Sequence, residues 1–266
     1  MASVLREKRI KSADRVLEIF EMFDGSRQSV TVMEVARTLN VPQSSTSELL
    51  NCLSRRGYLI RDRQARTYRP SARVALLGAW VQPERFRQGR LLPMMDTIHE
   101  RCGHSVVLAS EVDFLLHHLH AVGADLPRAM GGGTSHHLLH SPFGLMLQTE
   151  VYREQLRKVV HRLNAESEPE QRVRFGELAE RVDQFNRQGY AIGEMACGLS
   201  GIAMLLPQGN PRDEMLAIGV IGPSGEILEH MGDVVRELRG AIAQFLAPEG
   251  RVGHSVVEMP RLAAVH

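Results

Sequence analysis

The chain has 266 residues, 43% of them apolar and 24% charged, which suits one large folded domain or two of ordinary size. No apolar run approaches the roughly 20 residues needed to cross a bilayer, and the basic start from Met1 to Lys11 has no apolar segment behind it, so neither a membrane span nor a secretory signal is expected. The net charge of +1 is unevenly divided: residues 1–80 carry 14 Lys+Arg against 8 Asp+Glu, and the remainder carries 18 against 23. A basic first third on an acidic remainder fits a nucleic-acid-binding module attached to a part that does not bind nucleic acid. The three cysteines, Cys52, Cys102 and Cys197, are odd in number and far apart, which argues against a disulfide framework and for a reducing cytoplasm.

Val16, Leu17, Ile19, Phe20 and Phe23 recur at helical spacing and predict an amphipathic helix over 12–23, with Ser12 as its N-cap and Asp14 in the first turn, where the helix dipole favours an acid. Asp24-Gly25-Ser26 stops it. After Val30-Thr31-Val32, residues Met33, Val35, Ala36 and Leu39 share one face of a short second helix, which breaks at Asn40-Val41-Pro42 because the residue before proline avoids the α region. A third helix starts near Ser44, with Thr46, Leu49, Leu50 and Leu53 as its inner stripe. Gly57 ends it. Tyr58-Leu59-Ile60 and Thr67-Tyr68-Arg69 then read as two strands around the polar tip Arg61 to Arg66.

Two helices joined by a short turn and followed by a basic hairpin make a winged helix-turn-helix. The outer face of the third helix carries Gln43, Ser44, Ser45, Ser47, Glu48 and Asn51, mostly short polar side chains that can approach base edges and phosphates. That helix would enter the major groove, while Arg63 and Arg66 of the hairpin would reach phosphate or the minor groove. A helical core with a hairpin of no nucleic-acid role is the alternative, and the ordered constellation with four hairpin arginines speaks against it.

The stretches 11–20 (KSADRVLEIF), 35–46 (VARTLNVPQSST), 53–59 (LSRRGYL) and 68–71 (YRPS) resemble the IclR family of bacterial regulators. Members show a Pro-x-Ser-Thr approach to the recognition helix and an Arg-Gly-Tyr-Leu exit to the wing; this chain has Pro42-Gln43-Ser44-Ser45 and Arg56-Gly57-Tyr58-Leu59. Glu48 departs from the pattern, standing where many members have a basic or neutral residue. An acid there repels phosphate, so Glu48 should accept from a cytosine amino group or pair with an arginine such as Arg55.

Residues 71–81 are apolar and helix-compatible, interrupted by Pro83, and Trp80, the only tryptophan, suggests either a subunit contact or packing on the second domain. A helix at 91–101 with Leu92, Met95 and Ile98 on one face follows. Residues 105–110 and 114–120 read as adjacent strands, Gly123 to about Leu139 as a loop, 142–148, 150–163 and 174–188 as helices, 190–192, 201–206 and 215–221 as strands, and 232–246 as a last helix. Hairpins separated by helices predict an α+β domain with a central antiparallel sheet. Leu139-His140-Ser141, residues 187–192 (RQGYAI), 198–203 (GLSGIA) and 218–225 (IGVIGPSG) resemble the GAF-like effector domain of the same family. The expected organisation is therefore a DNA-binding domain over 1–70, a linker helix over 71–89, an effector-binding and oligomerisation domain over 90–247 and a flexible tail over 248–266.

The resemblance places the effector pocket between the sheet and the loop above it, here Arg128 to His137. Glycines at 131–133 would expose N–H groups to an anion, or serve only as a turn needing positive φ. Met130, Gly132, Gly133, Ser141 and Ser200 are the candidates for a carboxylate effector, with small neighbours around Gly201 and Ala203 leaving room for a ring and Cys197 packing near the pocket. Six of the twelve histidines lie within residues 117–140. His118 and His120 would share a strand face, and His136 and His140 would share one if helical, so effector contacts through His118 and His140, a zinc site, or surface and core roles all remain open. No Gly-x-Ser-x-Gly elbow, Walker loop or His-Glu-x-x-His is present, no catalytic residue or cofactor is expected, and a ligand-free DNA-binding protein would be recognised by a solid-packed second core. The partners expected are an operator duplex, a small-molecule effector and a second copy of the chain, with tetramers implied by the resemblance.

Overall fold

The computed structural model describes residues 10–23, 27–78, 89–208 and 213–246. Trp80, Pro83 and the tail over 248–266 lie outside them.

The N-terminal part is built from α1 (Lys11–Glu21), β1 (Val30–Thr31), α2 (Val32–Leu39), α3 (Gln43–Arg55), β2 (Leu59–Asp62) and β3 (Thr67–Pro70), the strands forming a small antiparallel sheet in the order β1-β3-β2. Its core is Ile19, Val30, Val35, Leu50, Leu53, Leu59 and Tyr68. Two expectations for α1 are corrected. Its N-cap is Ile10 and makes no side-chain cap, so Ser12 does not start the helix, and Leu17 is 61% exposed rather than part of the inner stripe. The stripe runs instead through Ile19 and Met22, one turn apart. Sequence reading passed over the cap of α2: Thr31 Oγ1 accepts from the Glu34 N–H at 3.2 Å while the Glu34 carboxylate accepts from the Thr31 N–H at 2.7 Å, a reciprocal capping box that fixes where strand becomes helix. The short helix α4 (Ala72–Gly78) follows the hairpin directly, and Ser71 ties its start to the turn after α3 by donating to the Gly57 carbonyl.

The C-terminal part is a six-stranded antiparallel sheet of β4 (Ser105–Val112), β5 (Leu115–Val122), β6 (Thr134–His137), β7 (Ala191–Glu194), β8 (Leu199–Leu205) and β9 (Leu216–Pro223), in the order β6-β5-β4-β9-β8-β7. Its central strands are apolar on both sides, so both faces are covered by helices. One face packs on α5 (Leu91–Cys102), α9 (Ser224–Glu229) and α10 (Met231–Leu246); the other packs on α6 (Pro142–Leu147), α7 (Arg153–Glu166) and α8 (Phe175–Gln188). On α5 the buried residues are Leu91, Met94, Met95 and Ile98, and Leu92 points outward at 51% exposure, correcting the face read from the sequence. The segment expected as one loop from 123 to 139 contains the edge strand β6, because His117 and His118 find partners in Ser135 and Thr134.

Candidate DNA interface and effector site

The third helix presents the expected face. Gln43, Ser44, Glu48 and Arg55 are exposed and Ser45 and Ser47 half-exposed, while Thr46, Leu50 and Leu53 anchor the inner side. Beside it the hairpin tip is shaped by Asp62, whose Oδ1 accepts from the N–H groups of Gln64 and Ala65 at 2.8 and 2.9 Å, leaving Arg63 and Arg66 exposed. Arg66 has φ +55°, so the turn rather than packing aims it. Between helix and hairpin runs a groove of about 690 Å3 lined by Glu48, Asn51, Arg55, Arg61 and Arg63 among others. Among the described residues no ion pair joins Glu48 to Arg55, although both line that groove.

Asn51 is held differently from its neighbours. It is half-buried, and its Oδ1 accepts from the Tyr68 hydroxyl at 3.0 Å and from Arg61 at 3.5 Å, while its Nδ2 donates to Ser47 Oγ at 3.4 Å. Its amide oxygen is therefore engaged by the wing. The residue ties the recognition helix to β3, a role that sequence spacing does not reveal because Tyr68 lies 17 positions away.

In the C-terminal domain the structure brings only some of the expected effector residues together. His118 is fully buried on the α6 face of β5. Its Nδ1 stands 2.8 Å from the Met130 carbonyl oxygen, which can only accept, so Nδ1 carries the hydrogen. Burial, with the neighbouring His136 as a second cause, pushes its pKa down to about 4, so the ring is neutral and Nε2 is a bare acceptor. Among the described residues no protein group reaches that Nε2. The His136 ring lies 4.2 Å from it centroid to centroid and the Phe143 ring 5.7 Å. Thr134 donates its one proton to the Gly131 carbonyl at 2.7 Å, so His136 Nε2 donates to Thr134 Oγ1 at 2.9 Å.

Gly201 and Ala203 lie on the same sheet face, but the room expected over them is filled by Phe143. A Cβ on Gly201 would come within 3.3 Å of that ring and one on Gly219 within 2.8 Å. Phe143, which sequence reasoning missed, is fully buried and is the side chain that joins His118 to the small residues of β8 and β9. The missed signal was the pair of glycines at 201 and 219 facing one helix.

The remaining candidates are placed elsewhere. Ser141 caps α6, accepting from the Phe143 N–H at 3.3 Å. Ser200 points to the opposite sheet face, where it donates to Ser224 Oγ at 2.9 Å. His140 is exposed, donates to the Gln171 carbonyl and stacks on His137 at 4.1 Å. Cys197 is exposed with φ +64°. In the glycine turn the Gly133 N–H is already engaged, donating to the His118 carbonyl at 2.7 Å, and a Cβ on Gly133 would meet the Glu21 carboxylate at 3.0 Å, so an acid already faces that residue. His118 and His120 do not share a face, because a bulge opposite Leu108 and Ala109 puts Leu119 between them as an extra residue and reverses the alternation. Among the described residues no group of three or more His, Cys, Asp or Glu could hold a metal ion. Two cavities described in this domain lie away from His118: about 350 Å3 at the β4–β5 turn beside Glu111 and Phe114, and about 280 Å3 between α10 and Met204.

Residues 12–63 match the family model described as the IclR helix-turn-helix domain. A comparison with curated proteins finds no match. Among solved structures, the chain is similar to an IclR transcriptional regulator from Alicyclobacillus acidocaldarius, at 18% identity and TM-score 0.58, over 89% of this chain and 98% of that one. It is similar to an IclR homolog from Microbacterium hydrocarbonoxydans complexed with 4-hydroxybenzoate, at 20% identity and TM-score 0.57, over 88% and 98%. The IclR of Thermotoga maritima aligns at 15% identity and TM-score 0.56, over 89% and 99%. The N-terminal domain is an IclR helix-turn-helix domain, and the chain has the two-part fold of an IclR family transcriptional regulator.

Proposed function

We propose that this regulator binds a specific operator duplex as a homodimer, or as a pair of dimers, and that a small organic acid bound in its C-terminal domain changes its operator affinity. The observation that carries the first half is the groove between α3 and the wing, where Arg55, Arg61 and Arg63 flank the outward polar face of a helix of the right length to enter a major groove. Dimerisation follows from reading length, since one recognition helix contacts too few base pairs for specificity and a twofold protein reads a pseudo-palindrome. The division of labour expected from the sequence, with DNA binding up to residue 70, a connecting segment over 71–89 and effector binding from 90 onward, is part of this reading.

The effector half is supported by the similar Microbacterium protein, whose structure holds 4-hydroxybenzoate. An aromatic acid suits the ring-lined surroundings of His118, and a ligand regulates only by binding one conformation better than the other: a tenfold change in operator affinity needs a coupling of about 1.4 kcal/mol. No helix of the described residues is long and apolar enough to cross a membrane, and Cys52, Cys102 and Cys197 are free thiols, which accords with action in a reducing cytoplasm.

The test is selection from a random duplex library with the full chain, followed by fluorescence anisotropy on the selected site. The expected result is a two-half-site pseudo-palindrome whose affinity falls steeply with salt and shifts on addition of an aromatic acid. Affinity that is flat between low and moderate salt would remove the DNA-binding account, and an operator affinity blind to every acid tried would remove the effector account.

A further inference from the structure

The outward ridge of α3 carries one anionic side chain, Glu48, near its middle. Glu48 is exposed and lines both hollows that flank the helix: the groove of about 690 Å3 toward the wing, with Arg61 and Arg63, and one of about 520 Å3 toward α1, with Ser12 and Arg15. Arg55 is the other residue common to both. It stands seven positions on, two helical turns and about 10 Å along the axis, whereas side chains that pair on one helix sit three or four positions apart. Among the described residues no ion pair or side-chain hydrogen bond engages the Glu48 carboxylate. Of the two roles open to an acid at this place, pairing with an arginine and accepting from a base, the fold does not build the first.

Placement on the ridge decides what the acid meets. A helix lying in the major groove turns its ridge to the base edges and its flanks to the two phosphate strands. Here the flanks carry the arginines, Arg15 on one side and Arg61 and Arg63 on the other, so phosphate is met on both sides and the ridge is left to the floor. An ionised carboxylate accepts and cannot donate. The donors on that floor are the amino groups of adenine and cytosine. Adenine N6 stands beside the N7 lone pair, which repels a carboxylate, while cytosine N4 has no acceptor of its own base beside it. The neighbouring amide does not compete for this contact: Asn51 Oδ1 already accepts from the Tyr68 hydroxyl at 3.0 Å and from Arg61 at 3.5 Å. We infer that Glu48 is a specificity-determining residue, accepting from the N4 amino group of a cytosine in each operator half-site. The inference rests on the operator-binding reading above and names what that interface selects.

The experiment is selection from a random duplex library with the full chain, as wild type and as Glu48→Ala, followed by anisotropy on the selected duplexes. Glu48 is exposed and alanine is the better helix former, so the variant keeps the fold. The two selected sites should differ at one position of each half-site, where the wild type demands cytosine and Glu48→Ala accepts any base. Exchanging that cytosine for thymine in one half-site should weaken the wild type roughly tenfold or more and leave Glu48→Ala unmoved. Glu48→Gln, whose amide both accepts and donates, should turn the preference at that position to adenine. Replacing the cytosine by 2-pyrimidinone, which keeps the ring and lacks the amino group, should cost the wild type the same factor and Glu48→Ala nothing. A Glu48→Ala protein that binds every duplex more tightly with its base preferences unchanged would reveal an acid that only repels phosphate, and overturns the inference while the operator reading stands. So does a wild-type preference at the altered position for any base but cytosine. A wild-type chain that selects no sequence at all removes the operator reading and the inference with it.

Discussion

At the scale of single residues, the surface proposed to face DNA separates exposed side chains expected to hold the duplex from those that hold the domain together. Arg63 and Arg66 are exposed at a turn shaped by Asp62, so Arg63→Ala with Arg66→Ala should weaken binding to all duplexes alike and flatten the plot of log affinity against log salt by about two units per bound protomer, about four for the proposed dimer, measured by anisotropy at several salt concentrations. Asn51 belongs to the other group. Tyr68→Phe removes the hydroxyl that donates to its Oδ1 and should lower stability by about 1 kcal/mol in urea unfolding while loosening the wing against α3, so that DNA binding weakens although no DNA-facing atom is lost. His118 supplies a pH signature. Its folded pKa of about 4 lies below the usual 6.5, so between these values the unfolded chain binds a proton that the folded chain does not. The stabilisation is complete above pH 6.5 and declines as the pH falls toward 4, at up to about 1.4 kcal/mol per pH unit for this one group. His137, whose pKa burial likewise pushes to about 4, acts in the same direction. Urea midpoints measured at pH 7.5, 6 and 5 should fall in that order, and His118→Gln should flatten the trend.

At the scale of elements, the short helix α6 is the keystone of the C-terminal core. All six of its residues, Pro142 to Leu147, are buried, and it starts on a capped serine with proline at the first helical position. Its close approach to the preceding turn depends on Gly144, where a Cβ would fall 1.8 Å from the Leu138 carbonyl oxygen, a backbone atom that cannot give way. Gly144→Ala should therefore destabilise the domain by about 3 kcal/mol, visible as a lowered thermal midpoint, and leave the N-terminal winged helix folded by its own core. The edge strand β6 shows a different balance: it pairs with only one neighbour and carries two histidines tied into side-chain hydrogen bonds, so its place is set by polar contacts rather than by an apolar stripe.

At the scale of the whole molecule, the proposed twofold assembly makes a prediction about exposed apolar side chains. Leu17 on α1 and Leu76 and Leu77 on α4 are 61%, 67% and 53% exposed, on the elements that begin and end the DNA-binding part. Leu17→Lys with Leu76→Lys should convert the assembly to lower-mass species in light scattering and, by removing the second half-site contact, lower operator affinity about a hundredfold. Unchanged mass would place the subunit interface elsewhere.

The winged helix was legible in the sequence because its determinants are local. Helical spacing around Ile19 and Leu50, the proline at 42, the glycine at 57 and the alternating hairpin act within a few residues of one another, and the order of elements then leaves one arrangement that buries the apolar stripes. The antiparallel sheet was legible for the same reason, from apolar runs separated by turns. The effector-site candidates were not, because a strand presents alternate residues to opposite sides and a single inserted residue reverses the order. Ser200 and Gly201 are neighbours in sequence and lie on opposite faces of β8, and Leu119 sends His118 inward and His120 outward. Tertiary structure alone decided which histidine lost its solvent, which of its nitrogens kept the proton, and that the space left by Gly201 and Gly219 belongs to Phe143, since each of these depends on groups brought together from distant parts of the chain.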